Sequence, residues 1–214
     1  MLYEAFHQVL NDERIDEIII SDDDSNDETV RWLKNQYPHA KVKIYWHEQN
    51  VGMSRNKAES LRLASNQWCI LFDSDNVIST KYLDALFKFT WDEDVIYCPD
   101  FARPNFDFRK YSSLKFSKKE AKRYIKEGRF EVLLNTCNYF VHRDTYLSVY
   151  QHNPDMKGTD TIWFNYNWLK SGREFYVVPG MQYEHRVHDG SGFMADMDYN
   201  MRKAKEIKRM IERL

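Results

Sequence analysis

The 214-residue chain has 43% hydrophobic and 30% charged residues, which is typical of one globular domain and excludes a disordered or membrane-embedded protein. Its formal net charge of −2 gives no overall attraction to nucleic acid. No apolar run approaches the roughly 20 residues of a membrane span, and the first residues lack a signal-peptide pattern. Three cysteines, widely spaced, do not form a disulfide framework. We therefore expect a cytoplasmic protein without a nucleic-acid partner or a transmembrane segment.

Apolar stretches alternate with amphipathic stretches along the first 100 residues. Such alternation predicts an α/β fold with a mostly parallel central sheet flanked by helices. Ser54 is the expected N-cap of one of these helices. The patterns predict helices over residues 3–10, 29–36 and 54–65, and strands over residues 17–21, 41–46 and 68–72.

The second half of the chain is less regular. Residues 99–116 contain two prolines and no clean period, so we expect a long loop there. Ser117 and Glu120 form a predicted capping box, which opens a helix that Gly128 closes. The remaining patterns predict a helix after residue 79, strands over 95–98, 132–142 and 174–178, and helices over 160–171 and 194–214.

An acidic triplet, Asp73-Ser74-Asp75, follows the apolar strand predicted over residues 68–72. Carboxylates at the end of a strand suit a hard cation such as Mg²⁺ or Mn²⁺, which binds a few protein oxygens together with substrate phosphates. A metal held there would neutralise the charge that develops on a diphosphate leaving group. The alternative is a solvated turn, since Asp and Ser are ordinary turn residues.

Two further polar segments lie near predicted strand and helix ends. In residues 21–29 a carboxylate, Asp22 or Asp23, could accept hydrogen bonds from a nucleotide base or a ribose. The alternative is a turn with an acidic helix start. In residues 50–57 a glycine loop enters a helix, where amide N–H groups near Gly52 and the side chain of Arg55 or Lys57 could hold phosphate.

Taken in order, these segments resemble the family 2 glycosyltransferases of the GT-A fold. The family pattern is an apolar strand with Asp-Asp-x-Ser-x-Asp, then Asn-x-Gly-x-x-Arg-Asn, then a strand ending in Asp-x-Asp. This chain shows IIISDDDSNDET, NVGMSRNKA and CILFDSDN, and the resemblance continues in CNYFVHRDTY, KGTDTIWFNYNWLKSG and YEHRVHDGSG. It covers about residues 5–193. The whole chain also resembles the glycosyltransferase domain of a large-virus capsid-glycan enzyme.

The resemblance implies a single GT-A domain over residues 1–214, with a nucleotide-binding half (1–100) and an acceptor-binding half (101–214). It implies metal-dependent transfer of a sugar from a UDP-sugar donor to a hydroxyl of a glycan or glycoconjugate acceptor, with Mn²⁺ or Mg²⁺ as cofactor. The chain could be part of a longer multidomain protein. The donor-binding residues expected on this basis are Asp22, Asp23, Gly52, Arg55, Asn56, Lys57, Asp73 and Ser74, with Asp23 on the uracil and Arg55 facing the nucleotide.

The same resemblance assigns the remaining site residues. Asp160 stands where the family carries an acidic residue at the acceptor site, so it is the expected catalytic base; the alternative is that it or Thr159 only caps a helix. Asp73 and Asp75 are the expected carboxylate ligands of the metal. His188 is the expected third ligand, with His185 in reserve, although a lone histidine is more often structural.

Three other functions compete with this hypothesis. A haloacid-dehalogenase-type phosphatase also has Asp-x-Asp after an apolar strand, but its other acidic pair lies downstream of that motif. A sugar nucleotidyltransferase should open with a glycine-rich loop. A non-catalytic nucleotide-sugar-binding module would keep the site without the reaction. The family's opening strand, which helps to bind the base, has no counterpart in this sequence, so base selectivity stays open.

Overall fold

The computed structural model describes residues 2–25, 30, 35, 39–129, 137–186 and 196–214. Helices and strands alternate along the chain, which confirms the predicted α/β class. The helices are α1 (Leu2–Phe6), α2 (Met53–Leu63), α3 (Thr80–Leu86), α4 (Lys118–Lys126), α5 (Arg143–Val149), α6 (Asp160–Lys170) and α7 (Met197–Glu212), with 3-10 turns at His7–Val9 and Arg109–Tyr111. The strands are β1 (Ile18–Asp22), β2 (Val42–Trp46), β3 (Trp68–Leu71), β4 (Val95–Arg103), β5 (Phe106–Asp107), β6 (Lys115–Phe116), β7 (Tyr139–His142) and β8 (Glu174–Glu184).

Pairing among the described strands is mixed, so the predicted mostly parallel arrangement needs correction. β1 and β2 form a parallel pair. A six-stranded sheet has the order β3-β7-β4-β8-β6, with β5 paired to β4. In it β4 and β8 are parallel, while β3/β7, β7/β4, β8/β6 and β4/β5 are antiparallel. Apolar runs indicate that a strand is covered on both faces but carry no information about its direction. The parallel pairing predicted from these runs was therefore wrong for most of the six-stranded sheet.

Within the described residues a helix lies at each predicted position apart from 29–36, with one error at a helix start, and α5 was not predicted. The capping box is confirmed: Ser117 N donates to the Glu120 carboxylate at 3.1 Å, and Lys119 N donates to Ser117 Oγ at 3.2 Å. The N-cap predicted at Ser54 is wrong. α2 begins at Met53 because Gly52, with φ of +87°, turns the chain into the helix earlier.

The long loop predicted over residues 99–116 is also wrong. β4 continues to Arg103 and is followed by β5 and β6. The strand tolerates Pro99 because its register with β8 shifts between Pro99 and Phe101, where a ladder hydrogen bond is not required. Of the strand predicted over 132–142, the structure describes residues 137–142, and β7 begins at Tyr139. The helix predicted over 29–36 lies outside the described residues except for Val30 and Asn35.

Two clusters of buried apolar side chains pack on the sheets. One lies under α1 and α3 and includes Tyr82, Leu83 and Leu86. The other is enclosed by α4, α5, α6 and α7 and includes Trp168 and Phe175. β4 passes position 100 and pairs along β8, so the predicted nucleotide and acceptor halves share one sheet. Their division by function stays a prediction.

Candidate active site

The acidic triplet leaves β3 in a turn that is fixed by a neighbouring strand. Asp73 N donates to Asn138 Oδ1 at 2.6 Å. Asn138 precedes β7 in the left-handed region, with φ of +54°, and its carbonyl accepts a hydrogen bond from Tyr82 Oη at 2.8 Å. Asn tolerates this conformation better than most residues. The position of Asp73 is therefore set by a buried side chain and not by the turn alone.

Arg186, just beyond β8, forms hydrogen bonds with the other end of the turn. Its backbone N–H donates to Asn76 Oδ1 at 3.1 Å, and its guanidinium donates to the carbonyl of Asp75. The same guanidinium forms an ion pair with Glu4 of α1 at 2.7 Å. The turn that carries the triplet is thus held from β7 on one side and from β8 and α1 on the other.

Lys57 of α2 joins the triplet to the predicted base. Its Nζ lies 3.3 Å from Asp73 Oδ1 and 3.1 Å from Asp160 Oδ2. Burial lowers the pKa of Lys57, but the carboxylates of Asp160 and Asp73 outweigh it and hold that pKa well above its ordinary value. Asp160 is 8% exposed and opens α6, while Thr159 at the cap position makes no side-chain capping bond. The Asp160 carboxylate is thus paired with Lys57.

Asp23 holds the glycine loop against the end of β1. Its carboxylate accepts hydrogen bonds from Val51 N at 2.6 Å and from Gly52 N at 3.0 Å. Asn50 Nδ2 donates to the carbonyl of Asp23 at 2.9 Å. The amide groups expected to bind phosphate are therefore occupied by a carboxylate of the same chain, and Asp23 itself is engaged in tying the loop.

Asn56 connects α2 to β1 through a second set of hydrogen bonds. Its Nδ2 donates to the carbonyl of Ser21 at 2.9 Å, and Ser21 Oγ donates to Asn56 Oδ1 at 2.6 Å. His47 Nε2 lies 3.1 Å from the same Oδ1. Asp22 accepts a hydrogen bond from the hydroxyl of Ser25. These contacts position the end of β1 beside the loop.

Most of the predicted site residues surround one cavity of about 1580 Å³. Two predicted residues do not line it: Gly52, whose amide donates to Asp23, and Arg55, which is 56% exposed and faces Glu59 at 3.7 Å. His188 lies outside the described residues. The cavity is lined by Asp22, Asp23, Asn56, Lys57, Asp73, Ser74, Asp75, Asp160 and His185.

No group of three or more His, Cys, Asp or Glu side chains is placed to hold a metal ion within the described part of the chain. Asp73 and Asp75 nevertheless line the same cavity. His185 packs edge-on against Phe106, with ring centroids 5.0 Å apart. A magnesium or manganese ion often uses only one or two protein carboxylates and takes its other ligands from water and phosphate, so the oxygen donors of the triplet fit such an ion.

The residues that position the site were not predicted from the sequence. Asn138 and His47 were not singled out, and Arg186 was not expected to fasten the triplet. An asparagine directly before an apolar strand is a weak signal for the left-handed conformation. Nothing in the pattern around His47 or Arg186 indicates a partner far along the chain.

Comparison with known families decides the classification. The sequence profile described as Glycosyl transferase family 2 matches residues 1–150 of this chain. The chain belongs to glycosyl transferase family 2. Comparison with curated protein sequences finds no match.

Solved structures support the GT-A fold of this family 2 chain at low sequence identity. TarS 1–349 from S. aureus, in complex with UDP-GlcNAc, has a TM-score of 0.69 at 15% identity over 98% of this chain. GalNAc-T7 with UDP, GalNAc and Mn²⁺ has a TM-score of 0.68 at 15% identity over 95% of this chain. The mannosyltransferase PcManGT from Pyrobaculum calidifontis, with GDP-Man and Mn²⁺, has a TM-score of 0.61 at 15% identity over 96% of this chain. The chain spans 61%, 45% and 60% of those chains, respectively.

Across the described residues, no helix combines the length and the apolar character needed to cross a membrane.

Proposed function

We propose that this family 2 chain transfers a sugar from a UDP-sugar to a hydroxyl of a glycan or glycoconjugate acceptor. One observation carries the proposal: Lys57 bridges Asp73 and Asp160, at 3.3 and 3.1 Å, so the triplet and the candidate base lie side by side at one cavity. A donor diphosphate at the triplet and an acceptor hydroxyl at Asp160 would then meet in a single site. Family membership supports the same reaction class.

In the proposed reaction Asp160 is the general base. Its carboxylate accepts the proton of the acceptor hydroxyl while that oxygen attacks the anomeric carbon, and the bond to the diphosphate breaks. Lys57 holds the carboxylate in place through its 3.1 Å contact. A single displacement of this kind inverts the anomeric centre, and the anomeric configuration of the product tests it.

We further propose that the triplet holds Mn²⁺ or Mg²⁺ together with the donor. Asp75 and Asp73 supply the carboxylate oxygens, and Ser74 lies between them on the exposed side of the turn. When bound, the ion neutralises charge on the diphosphate leaving group. His185 lines the same cavity and is the histidine of the predicted pair that the structure describes.

The other residues predicted to bind the donor differ in whether their side chains are already engaged in hydrogen bonds within the chain. Asp22 and Asn56 line the cavity at the end of β1, beside the place expected for the base and ribose. Asp23 also lines the cavity, and its carboxylate, which accepts the amides of Val51 and Gly52, has further lone pairs for a hydrogen bond from the nucleotide.

The experiment is a turnover assay with UDP-GlcNAc, UDP-Gal, UDP-Glc and GDP-Man in the presence of Mn²⁺, with water as the acceptor of the sugar. We expect UDP release from a UDP-sugar, and a rate lower by about 10²–10⁴-fold in Asp160→Asn, because that variant loses the proton acceptor. Asp155→Asn, at an exposed position near the same helix, is the matched control and should leave the rate unchanged.

The alternatives predict different products. A non-catalytic module binds the donor and releases no UDP in the wild-type protein. A phosphatase releases inorganic phosphate from a phosphorylated substrate and ignores the sugar donor, and the GT-A fold gives that alternative no support. Equal rates for Asp160→Asn and the wild type would contradict the role of Asp160 but not the reaction class.

A further inference from the structure

The helix α7 packs directly against the loop that leads into Asp160. Tyr199 Oη donates to the carbonyl of Asp155 at 2.9 Å. Asn200, 1% exposed, lies against Gly158, where an added Cβ would come within 2.3 Å of the asparagine Nδ2. The glycine therefore allows a contact that a side chain would prevent, and the start of α7 is fixed beside the start of α6.

One flank of α7 faces the cavity that holds the triplet and the candidate base. Met201, Lys205 and Lys208 are spaced at i, i+4 and i+7, so they lie side by side along the helix. All three line the cavity, as do Asp160 and Thr161 at the start of α6. Met201 and Lys205 are exposed, and Lys208 is half-buried. We call Met201, Lys205 and Lys208 the lysine flank.

The positive charge of Lys205 is not balanced by a neighbouring carboxylate. Three other cations of the cavity lining, Arg14, Lys57 and Arg186, form ion pairs within the chain. Lys205 is exposed and forms no ion pair with any residue that the structure describes. Lys208 adds a second positive charge about one turn further along α7. The lysine flank therefore attracts an anion that enters the cavity.

Basic residues elsewhere on the surface do not share this position. Seven lysines and arginines lie between residues 115 and 129, and none of them lines the cavity. Arg202, Arg209 and Arg213 are exposed and also lie outside the cavity lining. The two lysines of the flank are thus distinguished by where they lie and not by the general basicity of the C-terminal segment.

The spacing along α7 suits a charged group on the same molecule as the reacting hydroxyl. With a rise of about 1.5 Å per residue, Lys205 and Lys208 lie roughly 8 and 12 Å along the helix from Asn200, which contacts the loop before Asp160. The charges would also orient such a molecule. A negative group is repelled by the triplet and by the donor diphosphate but attracted by the ammonium groups of the flank.

We propose that the lysine flank binds a phosphate group of the acceptor, so that the acceptor is a phosphate-bearing glycan or glycoconjugate. The proposal rests on the proposed function, because it gives the bound molecule the role of acceptor. A lysine ammonium binds phosphate as a point charge and needs no fixed planar geometry, which suits a flank of lysines rather than arginines. Met201 offers an apolar contact to the carbon atoms of the attached sugar.

The test compares glucose, galactose, mannose and N-acetylglucosamine with their 6-phosphates. Binding is measured by calorimetry with and without UDP and Mn²⁺, and turnover is measured as nucleoside diphosphate release from the four sugar donors named above. We expect at least one 6-phosphate to bind roughly tenfold more tightly than its parent sugar, as for one hydrogen bond to a charged group. The same 6-phosphate should raise the rate of release above that with water.

Variants of α7 locate the phosphate. Lys205→Gln removes the charge and should weaken binding of the 6-phosphate by roughly tenfold without changing the binding of the parent sugar. Lys205→Arg keeps the charge and should retain most of the preference. Arg209→Gln, at an exposed position of the same helix outside the cavity lining, is the matched control and should change neither.

Each outcome bears on a different part of the proposal. Equal binding of every sugar and its 6-phosphate would overturn the inference, and so would a preference that Lys205→Gln does not reduce. Lys205-dependent binding to phosphatidylglycerol vesicles, with no preference for any sugar phosphate, would also overturn it and make the flank a membrane contact. A Lys205-dependent preference without release of nucleoside diphosphate would support the phosphate site and count against the sugar-transfer proposal.

Discussion

At the scale of single residues, Lys57 is the point where the two acidic groups of the site converge. Removing its charge leaves Asp73 and Asp160 facing each other without a cation. We expect Lys57→Met to lower the free energy of unfolding at pH 7 by about 3 kcal/mol, measured by urea denaturation. The carboxylates hold the pKa of Lys57 well above its ordinary value of 10.5, so the contribution is complete at pH 7 and is lost only as the pH rises through that higher value.

The control for this change is Lys81→Met, at an exposed position of α3. It removes the same charge without disturbing a buried carboxylate. If both variants unfold at the same urea concentration, Lys57 does not stabilise the pair in the way the distances indicate.

Asp23 is the second residue whose role can be tested directly. Its carboxylate accepts the amides of Val51 and Gly52, so we expect Asp23→Ala to speed hydrogen exchange at those two amides by roughly tenfold. Asp24→Asn, at the neighbouring position, should leave them unchanged. Unaltered exchange in Asp23→Ala would show that the loop does not depend on this carboxylate and would leave Asp23 available for the nucleotide base.

The functional roles of single residues were predictable where the residues belong to a local sequence motif. The acidic triplet, Lys57 and Asp160 could be proposed from ordered motifs, and the structure brings them together. Arg55 fits the same motif yet turns to Glu59 at the surface, because the motif specifies a position on a helix and not the direction of a long side chain. Asn138 escaped prediction since its partner lies 65 positions away along the chain.

At the scale of elements, Glu17 connects the start of β1 to the segment that enters β3. Burial raises the pKa of Glu17, but hydrogen bonds from Lys43 and Ser65 outweigh it and lower the pKa to about 2. A lowered carboxylate pKa stabilises the fold above the unfolded value and loses that effect as the pH falls toward 2. Solvent screens part of this stabilisation because the Lys43 side chain is 45% exposed.

We expect Glu17→Gln to lower the free energy of unfolding at pH 7 by about 2 kcal/mol relative to wild type. The difference should narrow between about pH 4.5 and pH 2, the window between the ordinary and the lowered pKa. Glu13→Gln, at an exposed position, is the control and should show neither effect. If the difference in free energy of unfolding between Glu17→Gln and the wild type stays constant over this pH range, the assigned hydrogen bonds are contradicted.

Elements were predictable to different degrees for physical reasons. The capping box at Ser117 is a short-range signal and was correct. The strand through Pro99 was missed because proline normally ends pairing, and only the register shift against β8 allows it. Strand direction depends on which strands meet in space, so the mixed pairing of the sheet lies beyond a local pattern.

At the scale of the whole molecule, the order of the motifs along the chain predicted the fold and the family correctly. Each motif alone is weak, but their order and spacing place acidic groups after β1 and β3, where both groups line one cavity. The half-buried state of β1 and β3 could not be foreseen, because apolar composition predicts burial without specifying which elements cover the strand. The donor and the acceptor depend on contacts that the fold alone does not determine.

The central claim is that the triplet binds a nucleotide-sugar diphosphate together with a divalent ion. The most direct test is calorimetric titration of UDP, GDP and CMP into the wild-type protein and Asp75→Ala, with and without Mn²⁺. We expect UDP to bind the wild-type protein only with Mn²⁺, and Asp75→Ala to lose that binding while keeping its fold by circular dichroism. Binding of UDP that needs no metal, or that survives in Asp75→Ala, would contradict the account.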